Sequence, residues 1–429
     1  THHMTSIPDM TVAEPAWLSE RRSRGAGFVR SLPLPSFRGN PGWEFTPLKK
    51  LELDSYLIPE GEAEGEARSV DAAGLGVFET PEGAVVLEQV DHVFDGAPSV
   101  RADGVIVMAL STAVVEHPDL VERHFGTIVS AEDPFVARNE AGWQGGAFVF
   151  VPRGVVLETP IVITVAQAQT QTALNWRTLV VLDEGAEAEV WEQYVSTEDG
   201  EDALFNTVTE LSVGQNAKLR YVCAQGLSEK TWIFGAQRGV VERDGALDWI
   251  ALGFGAGNGR VKMDTELAGP GADAKVTGAY ATHGRQHLDF ATTQVHAAPN
   301  TTSDLAFRGI LDGRSNTVWS GMIKVEPGAQ QIDAFQESRN LLLTKTAHAD
   351  SIPGLEILAN DVRCTHAAAI AQIDPEQLYY LESRGLSLEN AKRLVIEGFL
   401  EATVERFEPG FVREAIAGAL ERRLELVLG

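Results

Sequence analysis

"TLVVLDEGAEAEVWEQYV", Thr178–Val195, is the stretch on which the fold turns. An apolar run reaches Leu182, a charged turn follows at Asp183–Gly185, and then small, acidic and aromatic residues alternate from Ala186 onward. Alternation of period two is the mark of a strand with one buried face, because side chains at i and i+2 project from the same side. The same grammar continues outward in both directions, through "FVFV" (148–151), "VVLETPIVITVAQ" (155–167), "TELSVGQNAKLRYVCAQ" (209–225) and "VTGAYATHG" (276–284). A turn of the form Gly-small-x-small punctuates it in "EGAEAEV", "VGQNAKL", "GPGADAKV" and "EPGAQQI". The turn glycines 185, 214, 245 and 271 are 29, 31 and 26 residues apart, a spacing that suits one or two coils of a β-solenoid per interval. A β-sandwich shares the alternation and the turns, but it calls for hairpin Asn-Gly or Asp-Gly pairs that are not found at each turn.

The expected organisation is therefore mainly β: a mixed, partly helical region over 1–130, a β-helix core over 131–372 and a helical domain over 373–429. Near the start, "PAWLSERRSRGAGFVRSL" (15–32) predicts a helix, the Pro/Gly-rich segment to Leu48 predicts irregular structure, and "PEGEAEGEARS" (59–69) predicts an acidic connector. "THHM" (Thr1–Met4) has the form of an affinity-tag remnant, with Met4 as the expected native start. At the other end Asp374 and Pro375 open a helix that Gly385 closes, and Ser387 caps the next. Leu388, Ala391, Leu394, Val395, Phe399 and Leu400 form a stripe, which could cap the solenoid's end or receive a partner.

Composition narrows the function. A net charge of −26 argues against non-specific binding to nucleic acid or to an anionic membrane surface. No uncharged apolar run is long enough to span a bilayer, and the N-terminus lacks the basic and apolar regions of a secretory signal. Two cysteines make no disulfide framework and suit a reducing cytoplasm. There is no G-x-x-x-x-G-K-[ST] loop for ATP, no G-x-S-x-G elbow, no H-E-x-x-H and no C-x-x-C. "GFGAGNG" (253–259) fails the dinucleotide pattern and is expected to be a strand with small residues on one face. The "NTT" at Asn300 matches a glycosylation acceptor only formally.

Two groups could carry chemistry. Cys364 and His366, in "NDVRCTH" (360–366), stand at i and i+2 and share a strand face about 7 Å apart. A tetrahedral iron or zinc centre needs four donors, and the other thiol, Cys223, falls in a different rung. On spacing alone Cys364 reads first as a small buried side chain stacked with Val362 on the core face. The second group is His283, His287, Asp289 and His296, of which His287 and Asp289 share a face; it is a candidate metal site or a set of structural hydrogen-bonding residues. Paired carboxylates for sugar chemistry arise easily among 61 acidic residues, so a solenoid carbohydrate-active enzyme stands as an alternative, as does a purely structural self-associating solenoid.

The stretch His287–Gly385 resembles the SufB/SufD family of iron–sulfur cluster assembly, most specifically in "RNLLLT", "PGLEI", "NDVRCTH" and "DPEQLYYLESRG". "GWEFTPL" (42–48) is similar to an N-terminal element of the same family, and the Cys-x-His spacing is most like SufD. The chain departs from the family pattern at Ala367, Ala369 and Ala371, where glycine, threonine and glycine are usual. Alanine excludes the left-handed backbone that glycine permits, so ordinary strand or helix geometry is expected after His366. The resemblance implies a right-handed parallel β-helix and a non-catalytic scaffold subunit. It also implies pairing with a SufB-like paralogue, contact with a SufC-like ATPase through the C-terminal helices, and a transient iron–sulfur cluster near Cys364 and His366. A homodimer of the isolated chain is a further expectation. The terminal coil of such a solenoid is expected to expose unpaired backbone groups, with the Cys-x-His strand in it.

Overall fold

The computed structural model describes residues 14–36, 42–58, 76–95, 99–101, 103–197 and 202–428. Thr1–Met4 and the acidic stretch 59–69 lie outside them. Successive strands from Gly145 to Gln372 fall alternately into two sheets of ten strands each, and all but the last two pair in parallel with the strand one coil further on. This is a β-solenoid of about eight turns, not a sandwich. One coil, with one strand per sheet, occupies each interval between the turn glycines.

Alternation dictates what fills the lumen. Inward-facing residues such as Trp176, Tyr194, Tyr221, Trp249, Tyr280, Phe307 and Trp319 are buried, and aromatic neighbours meet edge to face or stacked. A second regularity runs along one set of turns. Gly154, Gly185, Asn216, Asp244, Gly271, Asn300 and Gln331 all have positive φ, one residue per coil. Each of their amides donates to a carbonyl one coil further on, in order Glu184, Gln215, Arg243, Pro270, Pro299, Gln330 and Asp361, at 2.6–3.3 Å, and the first six acceptors directly precede the next residue of the column. Only two of the four predicted turn glycines, 185 and 271, occupy this column. In the coils of Gly214 and Gly245 the left-handed residue is Asn216 or Asp244, types that tolerate that conformation.

"GFGAGNG" is a turn rather than a strand. One strand ends at Gly253, the next begins at Asn258, and Ala256 between them has φ 61°. A Cβ on Gly255 or Gly257 would lie 2.1 Å from the Leu227 carbonyl oxygen or 1.9 Å from that of Glu229. Close stacking of turns, not a ligand, requires glycine there.

The solenoid's first strand comes from the N-terminal region, since Val85–Val90 pairs in parallel with Ile161–Gln167. Both sheets finish at this end in short antiparallel strands, Val93–Asp95 and Ser99–Val100. The predicted helix Ala16–Ser31 packs on helix Pro134–Gly142, and Arg24 pairs with the buried Glu140 at 2.9 Å. At the other end helices Pro375–Ser383, Leu388–Val404 and Phe411–Leu428 follow, capped by Asp374 and Ser387 as expected. The longer two do not cap the solenoid. Ile396, Leu400, Val412, Ile416 and Leu424 lie against Ile250, Ala279, Ala281 and Ile310 on the outer face of one sheet. Arg423 fastens them by donating to the Ala281 carbonyl at 2.8 Å, and Arg406 by donating to Thr277 at 2.9 Å. Of the predicted stripe, Ala391 and Leu400 are buried, whereas Leu388 and Leu394 are exposed.

Candidate functional site

Because the helices lie along the side, the described residues leave the C-terminal end of the solenoid open. Its last coil consists of strands His348–Ile357 and Val362–Gln372, each the terminal strand of its sheet. Two strands of ten and eleven residues thus present one row each of backbone N–H and C=O groups that no described strand pairs. The contrast with the short antiparallel strands at the opposite end is large.

Register places the candidate pair. Cys364 stands over Ala334 and His366 over Gln336. The row beneath, Ile332, Ala334, Gln336, Ser338 and Asn340, faces the lumen and is buried. The row above, Val362, Cys364, His366, Ala368 and Ile370, faces the same way but is half-buried or exposed, because no coil follows. Leu355 and Ile357 on the facing strand are exposed for the same reason. Cys364 touches the apolar cluster of Ile323, Val325, Ile332 and Ala334, and His366 is exposed. Burial, and then the charge of Asp333, push the Cys364 thiol above its usual pKa, so it keeps its proton at neutral pH until something displaces it. The backbone from Val362 to Gln372 is continuous strand with no positive φ, as Ala367, Ala369 and Ala371 require.

Two donors are not a closed site. Among the described residues no group of three or more His, Cys, Asp or Glu side chains is placed to hold a metal ion. Cys223 lies five strands along the same sheet, on a strand about 24 Å from that of Cys364 at about 4.8 Å per strand. It is buried in the lumen, its thiol pushed up to about 12 by burial and by Glu192.

The second candidate group is dispersed. His287 and Asp289 share the outer face, as their spacing predicts, and hold the N-terminal segment: His287 hydrogen-bonds the Phe45 backbone, and Asp289 accepts from Thr46 Oγ1 at 2.6 Å and pairs with Arg260. Arg260 also lies over the Trp43 ring, 5.1 Å from its centroid. "GWEFTPL" is thereby a strap across the second sheet. His296 faces the opposite way, into the lumen, between Thr301 (2.7 Å) and Ser303 (2.8 Å), and burial pushes its pKa down to about 4. His283 pairs with Glu229. The residues that sequence reasoning missed are the polar row Gln336, Ser338, Asn340 and Ser351 inside the mouth and the apolar rim Leu355 and Ile357. Their only signal was the continued alternation of the last strands.

A family model for the SufBD core domain of SUF system FeS cluster assembly matches residues 164–399, more than half of the chain, and a model for the SufBD protein N-terminal region matches residues 86–163. The chain belongs to the SufBD family. Iron-sulfur cluster assembly protein SufD of Bacillus subtilis is 32% identical over 418 residues, which is 96% of this chain and 95% of that protein. An iron-sulfur cluster assembly SufBD family protein of Staphylococcus aureus (strain USA300) is 26% identical over 407 residues, 90% of this chain and 85% of its own length. One of Staphylococcus epidermidis is 26% identical over 410 residues. This SufBD protein is accordingly SufD-like, and its family is one of iron–sulfur cluster assembly proteins rather than of carbohydrate-active enzymes. The SufBD core model takes in the whole open end and stops within helix Leu388–Val404. No described helix is long and apolar enough to cross a membrane.

Proposed function

We propose that this SufBD protein is a cytoplasmic, non-catalytic scaffold subunit of a SUF-type assembly complex, and that its open end meets the open end of a SufB-like paralogue. The observation that carries the reading is the placement of Cys364 and His366 side by side on the lumen face of a terminal strand whose outer edge no described strand pairs. Too few to enclose iron alone, they become half of a site when a second chain supplies the remaining donors. A site divided between two chains also releases its cargo when the chains move apart. The nascent cluster is then the complex's product, and neither chain holds it permanently.

Docking follows from β-augmentation: unpaired edges gain main-chain hydrogen bonds, and Leu355, Ile357, Ala368 and Ile370 lose their exposure to water. The same edges fit a second copy of this chain, which accounts for a homodimer when the paralogue is missing. ATP hydrolysis belongs to a SufC-like subunit docked on the C-terminal helices, where Tyr379, Tyr380, Leu388 and Leu394 are exposed. The absence of a P-loop sequence from this chain supports that division of labour.

Co-expression with SufB-like and SufC-like proteins tests the reading. Co-purification of the three, with iron and acid-labile sulfide retained, is the expected result. Failure of the SufB-like chain to bind, or ATPase turnover by the isolated chain, contradicts it.

A further inference from the structure

Beneath His366 lies a polar floor that the site as described does not use. A solenoid lumen is ordinarily filled by apolar side chains, and a buried amide there is costly unless its hydrogen bonds are made. Gln336 is wholly buried, and its Nε2 donates to the carbonyls of Gly321 at 3.2 Å and Gly354 at 3.1 Å. Both acceptors are on the opposite sheet, so these bonds cross the lumen. Two further crossings lie beside it: Ser338 Oγ is 3.0 Å from Ser351 Oγ, and Asn340 Nδ2 donates to Ser351 Oγ at 3.1 Å.

Gly354 and Ser351 belong to the edge strand His348–Ile357, while Gln336 is the ladder partner of His366 in the other edge strand. Gln336 therefore joins the two edges at the level of the candidate site, to one through the backbone ladder and to the other through its side chain. A partner that docks on both edges at once needs that gap fixed. We infer that Gln336 is a positioning residue for the shared site, setting the separation of the two edge strands so that Cys364 and His366 meet the partner's donors. The inference rests on the proposed reading of the open end.

The test uses the complex with SufB-like and SufC-like subunits, supplied with ferrous iron and sulfide, and reads the charge-transfer absorbance of the cluster. Gln336→Met keeps the volume and removes both bonds. Thr317→Val, at a wholly buried lumen position one coil inward, is the control for a general disturbance of the interior. The expected result for Gln336→Met is an assembled complex with about ten-fold less cluster absorbance, the scale of losing an outer-shell contact. Thr317→Val keeps full absorbance. If Gln336→Met does not fold, Gln336→Asn, which keeps an amide too short to reach both carbonyls, gives the same comparison. Full absorbance in the Gln336 variant overturns the inference when Cys364→Ala and His366→Ala lose it. Full absorbance in all three overturns the shared-site reading itself.

Discussion

Ile323 and Leu355 are ladder partners on adjacent parallel strands and face the same lumen, yet Ile323 is 0% exposed and Leu355 is 38% exposed. The difference is one missing coil. Leu355 is in the geometry of a core residue without the layer that would make it one, and the same is true of Ile357 over Val325. Surfaces of this kind mark an interface.

Leu355→Lys is therefore expected to leave the isolated chain's melting temperature nearly unchanged, because Leu355 is already in contact with water. It should weaken pairing with the SufB-like chain by about thirty-fold or more, the loss typical of a hot-spot residue. Sedimentation or calorimetric titration of the two chains measures this. Unaltered affinity would show that the open end is not the contact.

Thiol reactivity separates the two cysteines. With its pKa raised by burial and by Asp333, Cys364 has little thiolate at pH 7, so alkylation should be slow there and should accelerate only at more alkaline pH than for an ordinary exposed thiol. Pairing with a partner should protect it. Cys223, buried and pushed up to about 12, should stay unmodified until the chain unfolds. Mass spectrometry of each cysteine peptide gives the answer, and rapid native labelling of Cys223 would contradict the structure.

His296 predicts a pH dependence of stability. Its folded pKa of about 4 lies below the unfolded value of 6.5, so between those pH values the unfolded state binds the extra proton. Stability contributed by the neutral ring is present above pH 6.5 and is lost as pH falls towards 4, by roughly 3 kcal/mol for a shift of this size. His296→Gln removes the titrating group. The deficit of this variant against the unmodified protein at pH 7.5 should shrink as pH is lowered to 4.5, as followed by denaturant unfolding. A constant deficit would refute the assignment.

Much of this was legible in the residues. Alternation and the spacing of Gly185, Gly214, Gly245 and Gly271 called for a solenoid, and i, i+2 spacing put Cys364 with His366 and His287 with Asp289 on shared faces. The left-handed turn column was not legible, because Asn216, Asp244, Asn300 and even Gln331 fill positions that glycine also fills. The stripe on Leu388–Val404 revealed that one face is covered but not by what, since Ile250 and Ile310 are distant in sequence. The partners of Asp289 were hidden likewise: Thr46 is 243 residues away. The exposure of Cys364 depends on a coil that does not follow, and the sole trace of that is where the alternation stops, just before Asp374.

The iron and acid-labile sulfide content of the purified three-chain complex, compared between the unmodified chain and the Cys364→Ala/His366→Ala double variant at equal subunit stoichiometry, tests the central claim most directly. Loss of nearly all iron and sulfide from a complex that still assembles is the predicted result. An assembled double-variant complex with undiminished iron and sulfide would contradict it.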